Sequence, residues 1–248
     1  MDDAVSLDAP VRGRLLARLR RRARSAAPAR SEVALALLSA ALIIFSFPDF
    51  NLWPLAWVGL VPLFLAVARR PGRGRAFLLG LMTGAVYFYG SCYWLTHSMI
   101  RYGGIPAWVA FLLLVPGALL LGVFPALCSM GLARAVARWG GRALFAAPLM
   151  WVAMEWARLG VTGQLWNAVG YSQAYATPLI QSARWGGVYL VSFLIVLVNA
   201  AAAHMLFERT ARAMKLGSAA VLCAALVVAA AFWTASPDGR AGEPAANS

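Results

Sequence analysis

Glu155 and Arg158 are the two residues best placed to do chemistry. Three positions apart, they share one face of any helix that carries them. They lie one to two turns before the end of an apolar run, where ionisable groups are costly unless paired or turned toward a cavity. The economical reading is an ion pair that fixes the helix against its neighbours. The functional reading is a polar contact to a lipid headgroup or to the segment that follows. That segment holds the string Trp166-Asn167-Ala168-Val169-Gly170-Tyr171-Ser172-Gln173. Residues 160–186 are too long and too polar for a simple turn. Trp166, Tyr171, Tyr175 and Trp185 suit a headgroup layer, Asn167, Ser172, Gln173 and Gln181 can hydrogen-bond, and Gly163, Gly170, Gly186 and Gly187 permit tight turns. On composition alone this is an aromatic belt lying on a membrane. Tyr87, Phe88, Tyr89, Tyr93 and Trp94 spread around their helix and suggest packing more than a ligand box.

Other chemistries are poorly served. Cys92, Cys128 and Cys223 fall within apolar runs, where a thiol is a poor nucleophile and a good small hydrophobe. His97 and His204 are the only histidines, and no CxxC, HExxH or EF-hand loop occurs. No metal and no cofactor is expected.

The elements that carry these residues follow from hydropathy. Hydrophobic residues make up 62% of the 248-residue chain and charged residues 12%, half the charged share of a globular protein. Runs able to cross a ~30 Å hydrocarbon core recur throughout. The fold class expected is an all-α, polytopic transmembrane bundle of about seven helices, covering 32–47, 52–68, 76–99, 107–132, 143–160, 187–207 and 217–234. The first two are short and are broken apart by Phe47-Pro48-Asp49, which suits a tight or tilted hairpin. Pro116 and Pro125 should bend the fourth helix. Gly80 and Gly84 form a GxxxG pair on the third. Residues 1–31 read as a basic cytoplasmic segment, 32–234 as the membrane domain and 235–248 as a disordered extracytoplasmic tail.

The net charge of +13 does not indicate nucleic acid, because its distribution is that of an orientation signal. Eighteen of the 22 lysines and arginines fall before residue 31 or within 69–75, 134–142 and 209–215. This bias predicts seven crossings, N-terminus in and C-terminus out, with residues 49–51, 100–106, 160–186 and 235–248 outside.

In order along residues 32–234, several strings resemble the membrane domain of the apolipoprotein N-acyltransferase family. They are Ser46-Phe47-Pro48 with Asn51-Leu52-Trp53-Pro54-Leu55-Ala56; Gly103-Gly104 with Pro106; Glu155 with Arg158; Thr162-Gly163 leading to Trp166 and Gly170-Tyr171-Ser172-Gln173; and Gly187-Val188-Tyr189 with Ser192-Phe193 and Asn199. One departure is local: Gln164-Leu165 stands where the family often has Phe-Pro. The resemblance implies a multi-pass protein of the bacterial cytoplasmic membrane. It implies acyl transfer from a membrane phospholipid to the N-terminal diacylglyceryl-cysteine of an apolipoprotein or lipopeptide. It places Trp166, Tyr171, Gln173, Glu155 and Arg158 as substrate- or lipid-binding residues. The family's catalytic Glu, Lys and Cys belong to a nitrilase-like domain that has no counterpart in these 248 residues. No catalytic residue is assigned. The chain is expected to be inactive alone, as half of a split enzyme with a separately encoded nitrilase-like domain or as a truncated form. Two other roles compete: a non-enzymatic membrane partner, for example for a polyprenol-phosphate mannosyltransferase, and a small transporter using Glu155 and Arg158. The lack of inverted repeats and of paired broken helices weighs against the transporter.

Overall fold

A computed structural model describes residues 27–235, all helix and connecting loops with no strand among them. The basic segment expected over 1–31 falls mostly outside the described residues, as does the tail beyond residue 235. Helix α1 covers Arg30–Ser46. A chain in three pieces packs against it: a 3-10 turn at Trp53–Leu55, then α2 (Ala56–Gly59) and α3 (Val61–Arg69). Then come α4 (Arg73–Ser91), α5 (Trp94–Arg101) and the 33-residue α6 (Ala107–Trp139). A 3-10 turn at Gly141–Ala146 leads into α7 (Ala147–Thr162). The polar segment holds a 3-10 turn at Val169–Gln173 and the single turn α8 (Thr177–Ile180). Helices α9 (Ala183–Glu208) and α10 (Ala211–Ala235) complete the described chain.

Helix occurs in every apolar run. Four segments are long and apolar enough to cross a membrane: Ala107–Trp139, Gly141–Thr162, Ala183–Glu208 and Ala211–Ala235. The pair Arg73–Ser91 and Trp94–Arg101, bent by 50°, makes a fifth if it acts as one span. Trp53–Arg69 is shorter; at 1.5 Å per residue its 17 residues reach about 25 Å, under the hydrocarbon thickness. Many leucines on α6, among them Leu112, Leu113 and Leu120, are exposed, as hydrocarbon allows and water does not.

Three breaks differ from the expected runs. The single helix expected over 76–99 is two helices. Ser91 Oγ donates to the Tyr87 carbonyl at 2.7 Å, a back-bond of the kind that bends helices. The run 52–68 breaks at Leu60, just before Pro62, whose ring nitrogen cannot donate. There the side chain of Asn199 enters the ladder. Its Oδ1 accepts from Leu60 N–H at 2.7 Å and Val61 N–H at 3.1 Å, and its Nδ2 donates to the Ala56 carbonyl at 2.8 Å. A third break separates α9 from its first turn. Gly186 and Gly187 are non-helical, Gly187 with φ +61°, so regular helix resumes at Val188, close to the expected start at 187. Helix α6, by contrast, runs as one helix through both prolines.

The closest helix pair is α4 with α6. Gly80 and Gly84 lie against Gly122, Pro125 and Ala126 so closely that an added Cβ would meet backbone under 3 Å away. At the arginine-rich end, Glu32 is buried and paired with Arg70 and Arg75, each at 3.7 Å, while accepting from Ala29 N–H at 2.8 Å.

Candidate lipid-facing site

Helix α7 presents Trp151, Glu155 and Arg158 along one buried face. The Glu155 Oε1 accepts from the Trp151 indole N–H at 3.0 Å and from Val169 N–H at 2.9 Å. Arg158 Nη1 donates to the Trp166 carbonyl, and its guanidinium lies 5.0 Å over the Phe88 ring. The expected ion pair between Glu155 and Arg158 is not formed: the ion pairs among the described residues both belong to Glu32. Each charge has instead been taken up by the segment that follows. The carboxylate holds a backbone donor and the guanidinium holds a backbone acceptor. Two orphan peptide groups of an irregular loop are satisfied this way within a helical bundle, where water is scarce.

The rest of the loop is pinned as closely. Helix α7 ends at Gly163, whose φ of +68° is the left-handed stop that glycine supplies. Thr162 Oγ1 donates to the Arg158 carbonyl at 2.8 Å. Tyr87 of α4 donates from its hydroxyl to the Asn167 carbonyl. Asn167 itself takes φ +54°, a left-handed conformation asparagine tolerates better than most residues. Gly170 N–H donates to Ser192 Oγ at 2.9 Å, and the glycine sits where a Cβ would come 2.7 Å from the Val188 carbonyl. The loop is thus held by α4, α7 and α9 together.

Gln173 completes this scaffold and does not face an opening. It is fully buried. Its Nε2 donates to the Trp53 carbonyl at 3.1 Å and Ser172 Oγ at 2.9 Å, and its Oε1 accepts from Trp57 Nε1–H at 3.1 Å. It clips the loop to the hairpin of α1 and α2.

Trp166 and Tyr171 remain partly exposed, at 39% and 44%. They line a cleft of about 480 Å³ with Phe47, Asp49, Trp94 and Asn167. Trp166 packs edge-on against Trp94, ring centroids 5.4 Å apart. A second cleft of about 230 Å³ shares Trp166 and Gln164 with the first and continues between apolar side chains, including Leu95, Leu114 and Leu121, with Arg158 at its wall. Between them, Glu155, Arg158, Tyr87 and Trp151 enclose about 20 Å³, the space of a single water. Glu155 Oε2 is buried with no hydrogen-bond partner among the described residues.

The structure therefore brings Glu155, Arg158, Trp166 and Tyr171 to one place and assigns Gln173 to their support. It adds Tyr87, Trp94 and Asp49, and puts Asn167 of the same string beside them. Asp49 carried a weak signal as the acid in the break between the first two helices. Tyr87 and Trp94 carried none that separated them from packing aromatics. Cys92 and Cys128 are buried, Cys223 is exposed on α10, and no group of metal-ligating side chains occurs among the described residues.

This arrangement separates acceptor from charge. Glu155→Gln keeps an oxygen for both donors and is expected to change unfolding stability by about 1 kcal/mol or less, whereas Glu155→Leu orphans two donors and should cost about 2–4 kcal/mol. Thermal unfolding of the detergent-solubilised protein distinguishes the two; equal losses would show that the charge, and not the acceptor, matters.

A family model described as the apolipoprotein N-acyltransferase N-terminal domain matches residues 39–201, which contain every residue of the site. The apolipoprotein N-acyltransferase of Geobacter metallireducens is 39% identical over 171 residues, covering 68% of this chain and 32% of the relative. That of Chromobacterium violaceum is 35% identical over 201 residues, covering 80% and 37%. That of Nitrosomonas europaea is 33% identical over 200 residues, covering 79% and 40%. The matched part of the chain thus spans between 32% and 40% of the length of these relatives.

Proposed function

The chain belongs to the apolipoprotein N-acyltransferase family through its N-terminal membrane domain, and from that membership we propose that it forms the membrane-embedded wall of an enzyme moving an acyl chain from a phospholipid to the N-terminal diacylglyceryl-cysteine of a lipoprotein. The observation that carries the reading is the pair of clefts that share Trp166 and Gln164 in their linings. One is edged by Asp49, Asn167 and Tyr171, the other by leucines. A polar chamber opening beside an apolar one matches a headgroup and the hydrocarbon attached to it. Trp166, with its ring at the junction, would border the path of lipid or lipopeptide, with Tyr171 beside it. Glu155, Arg158 and Gln173 act by holding the loop that carries them.

Acyl transfer requires an activated nucleophile and donors for the developing oxyanion. Cys92 is buried, with Asn167 Nδ2 3.4 Å from its sulfur, Cys128 is buried within the bundle, and Cys223, exposed on the apolar helix α10, lines neither cleft. The nucleophile is therefore proposed to come from a nitrilase-like domain docking over the loop, carried on a separate chain if the enzyme is split. In this reading the end bearing Arg70, Arg142 and Arg212 faces the cytoplasm and the segment 160–186 faces outward.

The test uses phospholipid vesicles holding the chain, a diacylated lipopeptide and a nitrilase-like domain added in trans. Trp166→Ala is expected to lower acylation roughly tenfold at unchanged membrane levels, within the about hundredfold that a misplacement of about 1 Å can cost. Trp185→Ala removes an exposed aromatic of the same segment and should do much less. Equal, small effects would return the loop to a membrane belt. No acylation with any added domain would remove the enzymatic reading altogether.

A further inference from the structure

At the opposite, arginine-rich end lies a cleft of about 190 Å³ that shares no lining residue with the clefts at the loop. Trp139 lines it from the end of α6 and Arg142 from the turn that follows, His204 and Glu208 from the end of α9, and Thr210 and Arg212 from just before and within the first turn of α10. The turn is built for close approach: Gly140 has φ +70°, and Gly141 N–H donates to Glu208 Oε1 at 3.2 Å. His204 is only 2% exposed, its ring edge-on to Phe145 with centroids 5.1 Å apart. Its Nδ1 is buried without a hydrogen-bond partner among the described residues. A buried polar atom left unpaired costs free energy, and here it belongs to a side chain that lines an open cleft.

We propose that this cleft binds the phosphate group of a phospholipid headgroup at the arginine-rich face of the membrane. Two guanidinium groups line it, and their planar forks match phosphate oxygens. Helix α10 begins there, with Thr210 Oγ1 capping Ala213 N–H at 3.1 Å. The preceding amides of that first turn, Ala211 and Arg212, have no intrahelical acceptor and are available to an anion. His204 adds a further polar side chain to the lining. Glu208 also lines the cleft, its Oε1 held by the Gly141 amide, and two guanidinium groups against this one carboxylate leave the lining net positive. The membrane is the source because exposed apolar side chains, Trp139 and Leu216, line the cleft beside its charged groups. Trp139 is 66% exposed, Leu216 is exposed beside it, and α10 is the least buried of the long apolar helices. Basic clefts between membrane helices on the cytoplasmic side take lipid headgroups in this way.

Native mass spectrometry of the full 248-residue chain in detergent tests the site. Three probes are compared: dioleoylphosphatidylglycerol, dioleoylglycerol with the same chains and no phosphate, and inorganic phosphate. The phospholipid should be retained and the diacylglycerol not. Arg142→Gln with Arg212→Gln should lower phospholipid affinity roughly thirtyfold, the sum of two surface arginines. Both side chains are exposed, so the variant is expected to fold, and its melting profile checks this. Arg101→Gln, on α5 at the other end, is the control. Retention unaltered in the double variant, or equal loss in the control, overturns the proposal. Displacement of the lipid by millimolar phosphate would overturn the lipid as the source and leave a soluble anion in its place.

Discussion

Gly84→Leu is expected to leave no stably folded protein. A Cβ at residue 84 would lie 2.8 Å from the Gly122 Cα and 2.9 Å from Pro125 Cγ. One at Gly80 would lie 2.6 Å from the Pro125 carbonyl oxygen and from Ser129 Oγ, and one at Gly122 would lie 2.8 Å from the Ala85 amide nitrogen. The three glycines interlock, so no rotamer change on one helix relieves the clash; α4 and α6 must separate. Within lipid, apolar surface gains nothing by leaving hydrocarbon for protein, so helix pairing rests on close packing and on backbone contacts. Separation removes both along the most intimate helix pair of the bundle. Overpacking alone costs about 1–3 kcal/mol per site, and losing the pairing adds to it, against a total stability of about 5–15 kcal/mol. Gly84→Ala should lower the melting temperature of the detergent-solubilised protein, and Gly84→Leu should abolish the folded peak on size exclusion. Gly117, also on α6, has open space where its Cβ would go, so Gly117→Ala should be neutral or slightly stabilising. A Gly84→Leu protein that melts like the parent would refute the packing argument.

Asn199→Leu should be nearly as damaging, for a different reason. The Asn199 amide is fully buried and makes four hydrogen bonds: to Leu60, Val61 and Ala56 across the helix break, and to the Ile195 carbonyl at 2.9 Å in its own helix. Leucine leaves two N–H groups and a carbonyl of the broken helix unpaired among apolar side chains, at about 1–3 kcal/mol each. The hairpin of α1 to α3 should then detach from α9, since this side chain is what makes the break at Leu60 tolerable. Ser39 does a smaller version of the same work, its Oγ accepting from Leu63 N–H at 2.9 Å. Ser39→Ala orphans one group and should cost about a third as much. Hydrogen exchange at Leu60, Val61 and Leu63 separates the two: faster exchange at Leu60 and Val61 only in the Asn199 variant supports the assignment. Unchanged protection there would mean that other groups satisfy those amides.

Both results turn on residues whose types were visible and whose partners were not. Gly80 and Gly84 announced a close helix contact, but nothing local said that Gly122 and Pro125 would fill it. Glu155 and Arg158 were legible as the charged pair in an apolar run. Their spacing favoured each other as partners, and the fold gave each a backbone group of the loop instead. Gln173 read like Tyr171, a polar residue of one string, yet one is sealed against Trp53 and Trp57 and the other is open to a cleft.

What the chain determined by itself is its class: helices where hydropathy runs long, loops where glycine and polar residues interrupt, a charge bias along the sequence, and membership of a family through ordered strings. These are properties of consecutive residues, because hydrophobicity, helix propensity and turn chemistry act within a few positions. What only the tertiary structure decided is which distant group each buried polar atom meets. Asn199 and Leu60 are 139 residues apart. The amides of Leu60 and Val61 fall at the break between α2 and α3, just ahead of Pro62, and α9 brings Asn199 there because the bundle packs that face inward. A hydrogen bond needs its partners within about 3 Å and in line, a condition set by how whole helices cross and not by any pattern within one of them.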